Sequence, residues 1–428
     1  MNIAGQDLWK LILGRLPGQL VIQWTDRCNA RCPQCGMRVT NRFQRHTLSP
    51  EEIRRIIDAA ARQGVRLVSF TGGEPLLELD ELIGHLDYAG RAGLKYIRTG
   101  TNGFLFAGSE GPGFMDKMKR LAERLAATPL RNFWISIDSA DPAVHEKMRG
   151  LPGVIQGIEK ALPVFHEQGL YPSANLGLNR NTGSRHKIPS RPAAGRDPVY
   201  LDDFEDAFYL ALQEFYDRVM ALGFDMVNTC YPMSIDETSI LGEGLSAVYA
   251  ATSIEDVVSF TQAEKSRLFR ALLRAVPEYR SRLRIFTPLV SLNALARDYE
   301  DAGPSPAVSY PCRGGLDFFF VDARLGHTYP CGYRGNEDFG KLYQLNGRRT
   351  RIKSECRRCD WECFRDPSEL LGPILQGLTD PYHLMKRIRG DRRHYSLWLE
   401  DLRYYRACDL FDGRRPIDYS KLNKFRPK

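Results

Sequence analysis

Three cysteines, Cys28, Cys32 and Cys35, lie close together, separated by three and then two residues. Thiolates are soft ligands, and closely spaced ones on a loop can converge on iron or zinc. Three thiolates leave a tetrahedral cluster one protein ligand short, so one iron would stay open to a substrate or cofactor. A zinc knuckle, or three unrelated thiols, is the alternative at this point. A second set lies in the last third of the chain: Cys312, Cys331, Cys356, Cys359 and Cys363. The CxxC spacing of Cys356 and Cys359 serves zinc as well as iron–sulfur centres. Cys230 and Cys408 stand apart, and an isolated cysteine is commonly a small buried side chain.

Such ligands need elements to hold them. Residues 20–25 are an apolar run ahead of the first cysteine loop and predict a strand. Ser49-Pro50-Glu51-Glu52 predicts a helix start, with Ser49 as cap and Pro50 at the first helical position. That helix runs to about residue 63, and Gly64 ends it. The alternation continues with strands at 66–70, 95–99, 133–137, 172–178 and 226–230. Helices are predicted at 79–91, 114–127, 154–168, 203–222 and 262–282. Six strands alternating with helices predict an α/β fold, a parallel sheet in a partial (β/α)6 TIM-like barrel. In such barrels the chemistry gathers at the C-terminal ends of the strands. The cysteine loop follows the first strand. Gly72-Gly73-Glu74-Pro75 follows the second, Asn102-Gly103 the third, and Ser136 and Asp138 close the fourth.

Beyond the barrel, residues 180–200 predict a long loop, either a lid or disordered. Residues 243–259 carry little pattern and predict a second covering element. Residues 316–322 and 328–331 predict a β-hairpin with Cys312 and Cys331 at its outer ends. Residues 366–377 and 381–403 predict helices interrupted at Pro373 and Gly390. From about residue 413 a weakly ordered tail is expected. The organisation expected is an N-terminal helix at 1–17, a core at 18–235 and helical covering elements at 236–305. A small cysteine-bearing hairpin and helical domain at 306–366 and C-terminal helices with a basic tail at 367–428 complete it.

The CxxxCxxC loop resembles the signature of the radical S-adenosylmethionine (SAM) enzymes, and Gly72-Gly73-Glu74-Pro75 matches that family's GGEP motif. The resemblance implies a [4Fe–4S] cluster on Cys28, Cys32 and Cys35, with SAM on the open iron. It implies that Gly72, Gly73, Glu74 and Pro75 meet the amino group of SAM. Glycines let backbone approach closely, and a carboxylate pairs with an ammonium. Asn102, Ser136 and Asp138 fall where family members contact the cofactor; hydrogen bonding at strand ends is the alternative. His145 and Arg149-Gly150 also resemble a family pattern, with a helix-face salt bridge as the alternative for Arg149. Gln34 departs from the pattern, since the family often has an aromatic residue there, beside the adenine.

The spacing of Cys312, Gly326 and Cys331 resembles the opening half of the SPASM/twitch pattern, which carries auxiliary clusters in this superfamily. Five cysteines are too few for two four-thiolate clusters. The implied outcome is one auxiliary [4Fe–4S] cluster on Cys312 and Cys331 with two or more of Cys356, Cys359 and Cys363. A structural zinc is the alternative. The implied reaction takes an electron from flavodoxin or ferredoxin and cleaves SAM to a 5′-deoxyadenosyl radical that removes hydrogen from a substrate. The auxiliary cluster would accept an electron or bind the substrate. The substrate is a small molecule or a peptide. About twenty residues precede the first strand, too few for an appended peptide-recognition domain. Cys230 is either a hydrogen-atom donor or a buried side chain. The alternative to an enzyme is a non-catalytic iron–sulfur or zinc-binding protein.

Bulk properties agree with such a reading. The chain has 428 residues, 43% hydrophobic and 26% charged. No apolar run is long enough to span a bilayer. The net charge of +8 is mild, and part of it sits near the C-terminus, which reads as a solvated tail rather than a nucleic-acid surface. Residues 8–13 read as a short amphipathic helix, with a membrane-surface anchor as the alternative. Arg38, Arg42, Arg45 and His46 form either a solvated loop face or a contact for an anionic substrate. Ten cysteines without a signal peptide point to metal binding in a reducing cytoplasm rather than to disulfides.

Overall fold

A computed structural model describes residues 11–12, 14–35, 44–192, 197–232, 256–300, 309–345, 356–357 and 359–427. Most of the expected N-terminal helix, Arg38, Arg42 and most of the covering element at 243–259 lie outside the described residues.

Nine strands form one sheet: β1 (Gly18–Thr25), β2 (Val65–Gly72), β3 (Tyr96–Thr101), β4 (Leu130–Ser136), β5 (Ser173–Gly177), β6 (Met226–Cys230), β7 (Arg284–Ile285), β8 (Phe318–Val321) and β9 (Thr328–Tyr329). Their spatial order is β7-β6-β5-β4-β3-β2-β1-β8-β9. All pairings are parallel except the β8–β9 hairpin. The predicted strands are present, with one added strand and one added pairing. The two-residue β7 extends the sheet beyond β6. On the other edge β8 joins β1 in parallel, Gln19 opposite Phe318 and Ile22 opposite Val321. The cysteine-bearing hairpin is therefore continuous with the barrel sheet.

Helices cover the sheet. α1 (Pro50–Arg62) starts as the sequence predicts: Ser49 Oγ accepts from the Glu52 amide at 3.2 Å. Its Ile53, Ile56, Ile57 and Ala60 are fully buried against the sheet. Burying each large aliphatic side chain contributes about 1.5–3 kcal/mol. α2 (Leu79–Arg91), α3 (Phe114–Ala126), α4 (Pro142–Arg149) and α5 (Val154–Glu167) follow β2, β3 and β4. α6 (Pro198–Ala221) begins five residues before the predicted 203, because Asp197 caps it by accepting from the Val199 amide. α7 (Gln262–Tyr279) and α8 (Leu289–Glu300) flank β7.

The C-terminal part is α9 (Glu362–Thr379), α10 (Pro381–Gly390), α11 (Arg392–Ala407) and the short α12 (Tyr419–Leu422). Gly390 ends a helix as predicted. Pro373 does not: α9 runs through Pro367 and Pro373. The expected weakly ordered tail is packed down. Gly413 exchanges backbone hydrogen bonds with Arg131 and Tyr171 at 2.7 Å each. Arg414 donates to the carbonyls of Ala126 at the end of α3 and Leu130 at the start of β4, and Leu422 is fully buried. Basic groups at a helix C-terminus complement its dipole, which explains why this part of the tail is seated. Among the described residues no helix is long and apolar enough to cross a membrane.

Candidate functional site

The loop after β1 is braced by the loop after β2. The Gly73 amide donates to the Thr25 carbonyl at 2.9 Å, and the Glu74 amide to the Arg27 carbonyl at 2.8 Å. A Cβ on Gly72 would lie 1.9 Å from the Thr25 oxygen, and one on Gly73 would lie 2.1 Å from the Arg27 oxygen. The paired glycines are thus required by backbone packing immediately before Cys28, in addition to any ligand they meet.

Glu74 is fully buried. Its carboxylate accepts from the Leu76 amide (3.0 Å), the Thr101 hydroxyl (2.8 Å) and the Asn102 amide (2.5 Å). Burial outweighs these donors and pushes Glu74 up to about 7. Asn102 Nδ2 donates to Asn29 Oδ1 at 2.9 Å and lies 3.9 Å from Cys28 Sγ, and the Ala30 amide reaches the same sulfur at 3.4 Å. Asn102 thereby ties the end of β3 to the cysteine loop.

Asp138 is 1% exposed and paired on several sides. It receives Arg149 Nε at 2.8 Å, Arg149 Nη2 at 2.7 Å and Gln34 Nε2 at 2.5 Å. Its amide donates to His145 Nδ1 at 3.1 Å, and burial lowers His145 to about 4, leaving it neutral. Burial opposes the charge on Arg149, but Asp138 and the nearby Cys32 and Cys35 hold it protonated. The salt bridge weighed for Arg149 is therefore present, and it spans the site rather than a helix face. Gln34, between two motif cysteines, is anchored by Asp138 and keeps a buried, unpartnered Oε1.

Cys28, Cys32 and Cys35 line one cavity of about 220 Å³ together with Gly72, Gly73, Glu74, Pro75, Asn102, Ser136, Asp138 and Arg149. The sequence-predicted residues of the barrel therefore share one space. Burial, ahead of the neighbouring charges, raises Cys32 to about 12 and raises Cys28 as well, so metal binding would replace their protons. Among the described residues, no three His, Cys, Asp or Glu side chains gather at single-ion distance. Each thiolate of a four-iron cluster binds its own iron, so a spread set around one cavity fits that group. Arg98, Trp134, Asn175, Asn228 and Glu362 also line the cavity and were missed from sequence. For Arg98, Asn175 and Asn228 the available signal was a charge or amide inside a parallel strand; Trp134 and Glu362 carried no such signal.

The second cysteine set divides. The Cys312 amide donates to the Cys356 carbonyl at 2.8 Å. The Gly314 amide points at Cys312 Sγ and the Tyr333 amide at Cys331 Sγ, each at 3.4 Å. Burial raises Cys359 most, followed by its neighbours Cys331, Cys356 and Cys312. These four thiols, and Cys363 with them, pack with Phe318, Phe320, Tyr333, Trp361 and Phe364. Cys363 has different electrostatic neighbours, Glu362 and Cys230, and with Cys230 it lines the central cavity. Cys408 is buried in a third apolar cluster with Tyr404 and Phe411.

Residues 22–178 match the model of the Radical SAM superfamily. The chain is 35% identical over 195 residues to a probable GTP 3′,8-cyclase of Methanosarcina mazei, across 43% of this chain and 53% of that protein. It is 24% identical over 360 residues to an AdoMet-dependent heme synthase of Oleidesulfovibrio alaskensis, across 83% of this chain and 79% of that protein. A solved structure described as native anSMEcpe with bound AdoMet superposes with a TM-score of 0.48 at 15% identity, over 82% of this chain and 84% of that one. The chain spans about half the length of the cyclase relatives it matches. The cysteine loop, the glycine-rich second loop and the sheet that joins them all lie inside residues 22–178, the part of the chain that matches the Radical SAM superfamily.

Proposed function

We propose that the chain is a radical SAM enzyme that holds a [4Fe–4S] cluster on Cys28, Cys32 and Cys35 and SAM beside Gly72, Gly73 and Glu74. The observation that carries this reading is the convergence of those residues, with Asn102 and Arg149, on one cavity at the C-terminal ends of the strands. When bound, the cluster and SAM supply a 5′-deoxyadenosyl radical; the protein supplies binding, orientation and a dry site. Glu74 offers a buried carboxylate to the ammonium of SAM. Asn102 positions the cysteine loop. Gln34 meets the cofactor with its free amide oxygen, in place of the family's aromatic residue. Asp138 holds Arg149 and Gln34 in place, a positioning role in addition to the cofactor contact implied by its motif. Ser136 completes the wall of the cavity.

The four-thiol set of Cys312, Cys331, Cys356 and Cys359 is the proposed seat of an auxiliary [4Fe–4S] cluster in a SPASM/twitch-like segment. Cys363 is left out of that ligand set. The polar wall of Arg98, Asn175, Asn228 and Glu362 favours a substrate with hydrogen-bonding groups, a small molecule or a peptide side chain. Flavodoxin or ferredoxin serves as the reductant, and a reducing cytoplasm suits the free thiols. The test is anaerobic reconstitution with iron and sulfide, then addition of SAM and dithionite. Release of 5′-deoxyadenosine supports the reading; none from a fully iron-loaded sample refutes it and favours a non-catalytic binding protein.

A further inference from the structure

Two thiols on the cavity wall remain once the ligand sets are assigned. Cys230 ends β6, and Cys363 lies in the first turn of α9. Both line the same cavity as Cys28, Cys32 and Cys35, and both meet one carboxyl group. Cys363 Sγ donates to Glu362 Oε1 at 3.3 Å, and Cys230 approaches the same side chain. Cys230 Sγ is also held by Asn175 Oδ1 at 3.5 Å and Asn228 Nδ2 at 3.7 Å. Glu362 is 7% exposed, and its Oε2 is buried without a hydrogen-bond partner. A buried carboxyl oxygen left unused is costly. Burial first, then Glu362, pushes both thiols well above their ordinary range. Both therefore keep their hydrogen at neutral pH, which makes them poor nucleophiles and leaves them intact S–H groups.

We propose that Cys230 and Cys363 form a paired hydrogen-atom donor to a carbon-centred radical in this cavity, with Glu362 as the proton acceptor between them. The inference rests on the radical SAM reading above. In the step, one S–H bond breaks and a C–H bond forms, leaving a sulfur radical. The second thiol passes its proton to Glu362 and shares the odd electron with the first sulfur. One electron from the one-electron reductant and one proton from solvent then restore two thiols and an ionised Glu362. The pair thus loses one hydrogen atom and regains an electron and a proton.

The test uses the full, cluster-loaded chain with SAM and dithionite in D2O and no added substrate. Thiol hydrogens exchange with solvent, whereas carbon-bound hydrogens do not. The 5′-deoxyadenosine released by the wild type is expected to carry one solvent deuterium by mass spectrometry. That label is expected to be lost in the double variant Cys230→Ser/Cys363→Ser and retained in Cys408→Ser. Unlabelled product from the wild type, or label that survives the double substitution, overturns this inference alone; no product at all takes the radical SAM reading down with it.

Discussion

Glu74 provides the sharpest test of the site. Its carboxyl lies in the core, held by three donors and raised from its ordinary 4.5 to about 7 by burial. At about 1.4 kcal/mol per pH unit, that difference is roughly 3 kcal/mol of preference for the neutral acid. The sign follows from linkage. Below 4.5 the group is neutral in both folded and unfolded chains, and the fold has the full benefit. As pH rises from 4.5 through about 7, the ligand-free fold loses that benefit. A ligand ammonium beside the carboxylate reverses the preference, so SAM binds the ionised form. At pH 6 about a tenth of the sites are ionised, and at pH 7 about half, so SAM is expected to bind roughly fivefold tighter at pH 7. The ligand's own amino group stays protonated over that range. The assay is anaerobic calorimetric titration of SAM into cluster-loaded protein in buffers of differing ionisation enthalpy. Proton release on binding is expected at pH 6 and should diminish above pH 7. In Glu74→Gln, binding is expected to be weaker throughout and flat with pH. A flat wild-type profile, or an unchanged slope in Glu74→Gln, would refute the pairing of this carboxylate with the cofactor.

Three further outcomes are expected. Gly73→Ala places a Cβ 2.1 Å from the Arg27 oxygen and 2.9 Å from the Cys28 Cβ; it should displace the cysteine loop and lower iron loading, and full loading with normal SAM affinity would contradict the bracing role. Iron analysis should find about eight irons per chain in the wild type and in Cys363→Ala, falling to about four in Cys359→Ala and in Cys28/Cys32/Cys35→Ala; loss of iron in Cys363→Ala would restore that residue to the ligand set. Asp401 accepts from Arg280 Nη2 at 2.5 Å and from the Leu289 and Val290 amides at 3.0 and 2.8 Å, and both members of the ion pair are fully buried. Removing the charge in Asp401→Asn should cost up to about 3–5 kcal/mol in denaturant unfolding, because it leaves a buried guanidinium with only the more exposed Glu400, 3.4 Å from Nη1, as counter-charge; a loss below about 1 kcal/mol would show that Glu400 suffices.

Local chemistry in the chain was enough to place most of the barrel. Ser49-Pro50, Gly64 and Gly93 act within a turn of their own positions, so the helices around them are found where propensity puts them. The cysteine loop and Gly72-Gly73-Glu74-Pro75 carry their meaning in residue type and spacing, and their shared face follows from parallel βα alternation. Four things depended on long-range packing. The parallel pairing of β8 with β1 joins residues about three hundred positions apart, beyond the reach of any local pattern. Arg414 seats a segment that composition alone reads as a solvated tail, because its donors find the carbonyls at the end of α3 and the start of β4. Arg98, Asn175 and Asn228 become cavity wall only when neighbouring strands bring them side by side. Cys363 shows the difference most plainly. Spacing groups it with Cys356 and Cys359, and it borders the same apolar cluster, yet at the helical start of α9 its polar neighbours are Glu362 and Cys230. The sequence alone determined which residues could bind iron and which could hold the methionine end of SAM. Tertiary structure decided which thiols share a site, since a helix separates in direction side chains that stand close together along the chain.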